Sequence, residues 1–288
     1  MRRRKNHLLR PFLIALGLMA LLLVLGTYLS RLLAPSSAAP EPVTIPDQKE
    51  RQATNPWGWV SQNAAQNEYD ENGFLSVGDV VDYHAGGKWA LQGLDLSAHN
   101  GEIDWAQVKN AGIDFVILQL GYRGYTAGTL SVDEAFFRNL DGATEQGIAV
   151  GAYFFSQALS EEEAREEADF VVKTLSGCKL DLPIYFDWET VSGGGRSDQM
   201  DTSRLTDCAL AFCRRIEDAG FQAGIYFNQE HGYFAYNLDL LGDYSFWLAE
   251  YAAVPSFYFH FDLWQYTPSG SVPGIEGSVD RNLLFPEP

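Results

Sequence analysis

Basic side chains are scarce in this chain. Its 288 residues include 20 Lys and Arg against 38 Asp and Glu, a formal net charge of -18. Arg2, Arg3, Arg4, Lys5 and Arg10 are gathered at the N-terminus, so the remainder is more acidic still. Phosphate-rich partners need basic patches, which excludes nucleic acid and an anionic lipid surface as the main ligand. Cysteine is nearly absent too. Cys178, Cys208 and Cys213 are too few for a disulfide framework. Cys208 and Cys213 point to different faces of a predicted helix and cannot bridge easily. A bridge from Cys178 to either is open, with buried thiols the simpler expectation. The histidines are scattered and no metal-ligand spacing occurs, so neither metal nor cofactor is expected. Gly193, Gly194 and Gly195 are not followed by Lys-Ser or Lys-Thr, so they do not form a phosphate loop. They suggest a loop over a groove. Internal repeats and low-complexity tracts are also missing.

One long apolar run is present, Pro11 to Leu29, directly after the basic cluster. Its length suits a membrane anchor with the N-terminus inside, and Ser36 to Ala39 could hold a cleavage site if it is a signal peptide. Either reading exports the rest. Residues 1–34 are read as basic tip plus anchor or signal, 35–56 as a linker rich in Pro, Ala and Ser, and 57–90 as a small aromatic extension packed on the main domain. From residue 91 to 288, short apolar strands alternate with amphipathic helices. The strand candidates are Gly93–Ser97, Phe115–Gly121, Ala149–Ser156, Leu182–Glu189, Gln222–Asn228, Ser245–Tyr251, Phe261–Thr267 and Val279–Phe285. Helices follow the first four. One is capped by Asp104 and one covers Asp133 to Gln146. A third opens with the Ser160/Glu163 capping box, and a fourth runs from Ser203 to Ala219. Eight strands with alternating helices predict an α/β barrel. The short gap between the sixth and seventh strands predicts fewer helices than strands, and antiparallel or irregular pairing at the end.

Acids at strand ends are the candidates for chemistry. In Leu182 to Glu189, side-chain alternation puts Tyr185, Asp187 and Glu189 on one face. Two carboxyls that close cannot both ionise freely, and a raised carboxyl pKa is what a general acid needs. Taken alone, an Asp-x-Glu is as easily an idle, solvated strand end. Asp95 sits between leucines in the first strand, where a buried acid needs a partner; it could equally be a structural acid held by backbone donors. Asp280 lies in the last strand and could simply pair with Arg281. Closure of a barrel would bring the first and last strands together. Tyr122, Tyr153, Tyr226, Tyr251, Trp264 and Tyr266 crowd the same ends, with Gln265 and Asn228 as hydrogen-bonding groups. Each aromatic alone reads as core packing; their clustering suggests a sugar-binding groove.

Read in order, Gly-Leu-Asp-Leu-Ser-Ala-His-Asn-Gly at 93–101, Gly-Ala-Tyr-Phe-Phe at 151–155, Tyr-Phe-Asp-Trp-Glu at 185–189, Gly-Ile-Tyr at 224–226, Trp-Leu-Ala-Glu-Tyr at 247–251, Leu-Trp-Gln-Tyr at 263–266 and Val-Asp-Arg-Asn at 279–282 resemble glycoside hydrolase family 25, the Chalaropsis-type lysozymes. The resemblance spans residues 91 to 285. It implies a modified, flattened TIM-like barrel that cleaves the β-1,4 bond between N-acetylmuramic acid and N-acetylglucosamine in bacterial peptidoglycan. The N-terminal segment places that activity outside the cytoplasm, and a monomer is expected. Glu189 matches the family's general acid, Asp187 its assisting acid, Asp95 and Asp280 its supporting carboxylates, and Tyr153 and Tyr226 its groove aromatics. Substrate-assisted retention is the expected mechanism. Gln119 stands where many relatives carry Arg, and Tyr153-Phe154-Phe155 replaces a common Tyr-His-Phe. A non-catalytic wall-binding module, a hydrolase of another N-acetylhexosamine polymer and a membrane-anchored scaffold are the competing readings.

Overall fold

The computed structural model describes residues 59–191, 193–196 and 200–285. The apolar run Pro11–Leu29, the linker 35–56 and Trp57 lie outside them. Among the described residues, no helix is long and apolar enough to cross a membrane.

An antiparallel sheet comes first, from β1 (Phe74–Val77), β2 (Val80–Ala85) and β3 (Lys88–Trp89). The barrel strands follow: β4 (Leu91–Leu96), β5 (Phe115–Arg123), β7 (Ala149–Ser156), β8 (Ile184–Trp188), β9 (Ala223–Asn228), β10 (Ser245–Ala249), β11 (Leu263–Gly270) and β12 (Val279–Leu284). A short β6 (Leu130–Val132) pairs with the outer part of β5. The order β4-β12-β11-β10-β9-β8-β7-β5 closes through β4–β5, giving an eight-stranded barrel. Pairing is parallel from β4 through β5 and on to β11, and antiparallel on both sides of β12.

The irregular end expected of the barrel is present, one strand later than expected. β10 and β11 stay parallel, because both strands end differently from the sequence reading and leave residues 250–262 to make the crossover without a helix. The stretch between Gly270 and Val279 is shorter, too short for a parallel return, and β12 runs back antiparallel.

Local chemistry sets the helices. α1 (Trp105–Asn110) is capped by Asp104 and α2 is Phe136–Glu145. α3 (Glu161–Thr174) starts at Ser160, whose Oγ accepts the Glu163 N–H, and its first turn holds three glutamates that suit the positive helix end. α4 (Leu205–Asp218) buries Leu205, Cys208, Ala209, Phe212, Cys213 and Ile216, one stripe at helical spacing. Its chain reverses at Gly220, where φ of +88° suits glycine. Two short helices were not anticipated: α5 (Gln229–Phe234) and α6 (Leu238–Leu241). Helices remain fewer than strands. All three cysteines are free thiols, so the open Cys178 bridge does not form.

Residues 59–89 lie against the barrel wall through aromatic contacts. Trp59 stacks on Tyr233 with centroids 4.5 Å apart, and Tyr69 stacks on Phe285 at 4.0 Å while donating its hydroxyl to Phe261 O at 2.6 Å.

Inside the barrel, large and small residues alternate between neighbouring strands. Phe115, Ile117, Tyr185, Trp247 and Leu263 fill the lower interior. They fit because their neighbours are glycines: a Cβ on Gly93 would lie 2.1 Å from the Phe115 ring, and one on Gly224 would lie 2.5 Å from Tyr185. Above this apolar plug, at the C-terminal ends of the parallel strands, the interior turns polar.

Candidate active site

β8 and the residue directly after it supply the first two acids. Tyr185 and Asp187 point inward, while Phe186 packs outward on Phe212 of α4 with centroids 5.3 Å apart. Glu189 follows one residue beyond the strand. Antiparallel pairing of β12 with β4 sets Asp280 directly opposite Asp95. The barrel therefore brings Asp95, Asp187, Glu189 and Asp280 into one electrostatic cluster, in which their charges act on one another.

A buried polar network holds Asp95. Its Oδ2 accepts from Gln265 Nε2 at 2.9 Å and from Asn282 Nδ2 at 2.8 Å. Gln265 Oε1 in turn accepts the hydroxyls of Tyr226 and Tyr251, each at 3.1 Å. Asn282 Oδ1 accepts from Trp247 Nε1 at 2.8 Å. An indole N–H can only donate, which fixes the Asn282 amide with its NH2 toward the carboxyl.

Burial pushes the Asp95 carboxyl up to about 8, with the charge of Asp280 adding to it and the two amide donors opposing it. Asp187 is pushed well above the usual carboxylate range, first by burial and then by Glu189 and Asp95. Glu189 is raised by burial and by Asp280, and is held down by its hydrogen bond with Asp187. Asp280 is raised by burial. Asp187 and Glu189 thus form a hydrogen-bonded pair of buried carboxyls that do not both ionise freely. Among the described residues, Asp187 Oδ1 is buried without a hydrogen-bond partner. Burial and the surrounding acids also raise Tyr153 and Tyr226, so both phenols stay neutral donors.

Of the remaining candidates, Tyr153, Tyr226, Tyr251 and Gln265 belong to this constellation. Trp264 and Tyr266 do not. They flank Gln265 in β11, so when Gln265 points inward both must point outward. Trp264 donates Nε1 to Glu250 O at 2.7 Å and packs on Phe74, and the Tyr266 hydroxyl accepts from Arg281 Nε at 3.0 Å. Asn228 is exposed, and its Oδ1 is occupied in capping α5 by accepting the His231 N–H at 2.9 Å. Tyr122 lies exposed beyond a register shift in β5 that follows Gln119 and makes none of the network's hydrogen bonds among the described residues. Asn282 and Trp247 were missed. Asn282 is two residues from Asp280, and the same alternation that picked Asp187 with Glu189 places it on the inner face.

Beyond Glu189, Gly193 and Gly194 have positive φ, and Arg196 ties this loop back to the barrel through Glu163 at 2.6 Å and through Tyr125 O.

The profile of the Glycosyl hydrolases family 25 matches residues 94–275. Lysozyme M1 of Streptomyces globisporus is 28% identical over 205 residues, which cover 67% of this chain and 67% of that protein. The autolytic lysozyme of Clostridium acetobutylicum is 28% identical over 192 residues, 66% of this chain and 54% of that protein. Among solved structures, the modular autolysin LytC from Streptococcus pneumoniae in complex with synthetic peptidoglycan ligand aligns with a TM-score of 0.60 at 27% identity, over 73% of this chain and 52% of that one. The chain thus spans about half the length of the last two relatives.

Proposed function

Because this chain belongs to the glycosyl hydrolases of family 25 and is a glycoside hydrolase, we propose that it cleaves the β-1,4 bond between N-acetylmuramic acid and N-acetylglucosamine in peptidoglycan, with Glu189 as general acid. The observation that carries the reading is the pairing of Asp187 and Glu189, two buried carboxyls that cannot both ionise freely, beside an unpaired Asp187 oxygen. When the substrate's acetamido N–H reaches Asp187, that carboxyl becomes an acceptor and ionises. Glu189 then holds the pair's proton, facing the glycosidic oxygen.

The acetamido carbonyl oxygen attacks C1 as the C1–O bond breaks, and Glu189 passes its proton to the departing oxygen. A cyclic oxazolinium forms, with its positive charge facing Asp187. Water then opens it at C1, giving its proton back to Glu189, with net retention. Neutral Tyr153 and Tyr226 line the sugar's path. The separation of Asp187 and Glu189 by one residue on one strand face favours this route, because two such groups do not flank opposite faces of a sugar ring. The apolar segment ahead of the barrel suits a substrate outside the cytoplasm, with residues 1–34 as anchor or signal and 35–56 as tether.

The test is the anomeric configuration of the first-formed product, followed by proton NMR on a soluble glycan fragment. β-Product supports the reading; initial α-product refutes substrate assistance.

A further inference from the structure

The end of β8 has a backbone peculiarity that bears on the acid. The last rung between β7 and β8 joins Ser156 to Trp188, and the last between β8 and β9 joins Asp187 to Tyr226. Glu189 lies past both ladders. A side chain takes the place of the next rung: Gln157 Nε2 donates to Glu189 O at 3.0 Å and to Ser156 O at 3.0 Å. Both partners are carbonyl oxygens, so the amide can face them only with its nitrogen.

Gln157 is itself fixed. It is 0% exposed. Its N–H donates to Glu167 Oε1 at 3.3 Å, and its carbonyl accepts from Arg196 Nε at 3.4 Å. Glu167 is locked by Arg123 Nε at 2.7 Å and Ser156 Oγ at 2.6 Å. A buried amide, seated on a buried ion pair, therefore sets where the Glu189 peptide stops before the glycine-rich turn at 193–195.

We propose that Gln157 is a positioning residue for the general acid: its side-chain amide extends the β7–β8 ladder by one rung and holds Glu189 against Asp187. This rests on Glu189 being the acid. Without the amide, the Glu189 peptide joins the following loop, its carboxyl gains solvent and its contact with Asp187 loosens. The gain of solvent, the larger of the two effects, lowers its pKa toward that of an ordinary glutamate, and the weakened Asp187 hydrogen bond opposes it in part.

The test compares wild type with Gln157→Met, which keeps the side-chain length and removes the donor, on soluble peptidoglycan fragments. A group misplaced by about 1 Å can lose roughly 10²-fold in rate, so kcat should fall on the order of 10- to 100-fold. KM should move less than about threefold, because substrate contacts are untouched. The alkaline limb of the pH–kcat profile should move to lower pH. Wild-type kcat, or a lower kcat with an unmoved alkaline limb, overturns the proposal. Should the Met variant fail to fold, Gln157→Asn keeps the amide one methylene short. It should show the same limb shift with a smaller loss, and an unmoved limb in that folded variant also overturns the proposal. A wild-type enzyme that releases no reducing ends removes the reading of Glu189 itself, and the positioning role with it.

Discussion

Removing the Asn282 amide should cost far more than a single hydrogen bond. In Asn282→Ala, the buried Trp247 Nε1 loses its acceptor at 2.8 Å and Asp95 loses one of its two amide donors. An unsatisfied buried donor costs about 1–3 kcal/mol, and a hydrogen bond to the Asp95 carboxyl, largely protonated at neutral pH, contributes about 0.5–1.5 kcal/mol. Together they destabilise the barrel by roughly 2–4 kcal/mol. At about 2–4 °C per kcal/mol for a domain of this size, Tm should fall by roughly 4–16 °C. The assay is a double-mutant cycle with Trp247→Phe, read by thermal and urea unfolding. Trp247→Phe alone strands Asn282 Oδ1, whereas the double variant strands neither group, so the double variant should cost at least about 1 kcal/mol less than the sum of the singles. Additivity within about 0.5 kcal/mol would refute the linkage.

Stability should depend on pH in the direction the raised carboxyls dictate. Asp187, Glu189 and Asp280 are raised and Asp95 reaches about 8, so the folded state binds protons that the unfolded chain has already released. Their contribution is full below ordinary carboxylate pKa values and fades as pH climbs, so Tm should fall between about pH 5 and pH 8; a steady rise across that window contradicts the assigned shifts. Trp264→Ala should destabilise by about 3–5 kcal/mol while leaving KM for glycan unchanged, and a selective rise in KM would return Trp264 to the groove. With Cys208 and Cys213 buried and Cys178 partly exposed, an aromatic disulfide reagent should titrate Cys178 in the native enzyme and all three thiols after unfolding; fast native reaction at all three would contradict the packing of α4.

The barrel was legible because its strands are short apolar runs separated by capped helices, and both signals are local. Ser160 with Glu163 marks the start of α3 within one residue. The stretch that became α5 and α6 gave no signal, since Gln229 to Leu241 lacks helical periodicity. Its helices are held by tertiary packing, with Gly232 tight against Phe257 and Phe227. The β1–β3 sheet was equally hidden, and its aromatic residues read only as a small extension packed on the main domain. Within the site, the four acids were readable from alternation and closure of the barrel. Trp264 and Tyr266 were misplaced because aromatic density was given more weight than the strand period that sets Gln265 inward. The bond from Gln157 to Glu189 joins residues on different strands, and no local pattern announces it.

The most direct test is digestion of purified peptidoglycan by the enzyme beside its Glu189→Gln variant, with mass spectrometry of the borohydride-reduced products. Muropeptides ending in reduced N-acetylmuramic acid, absent with the variant, are the predicted result. A folded wild-type enzyme that leaves several wall types without new reducing ends, or a variant as active as wild type, would contradict a muramidase acting through Glu189.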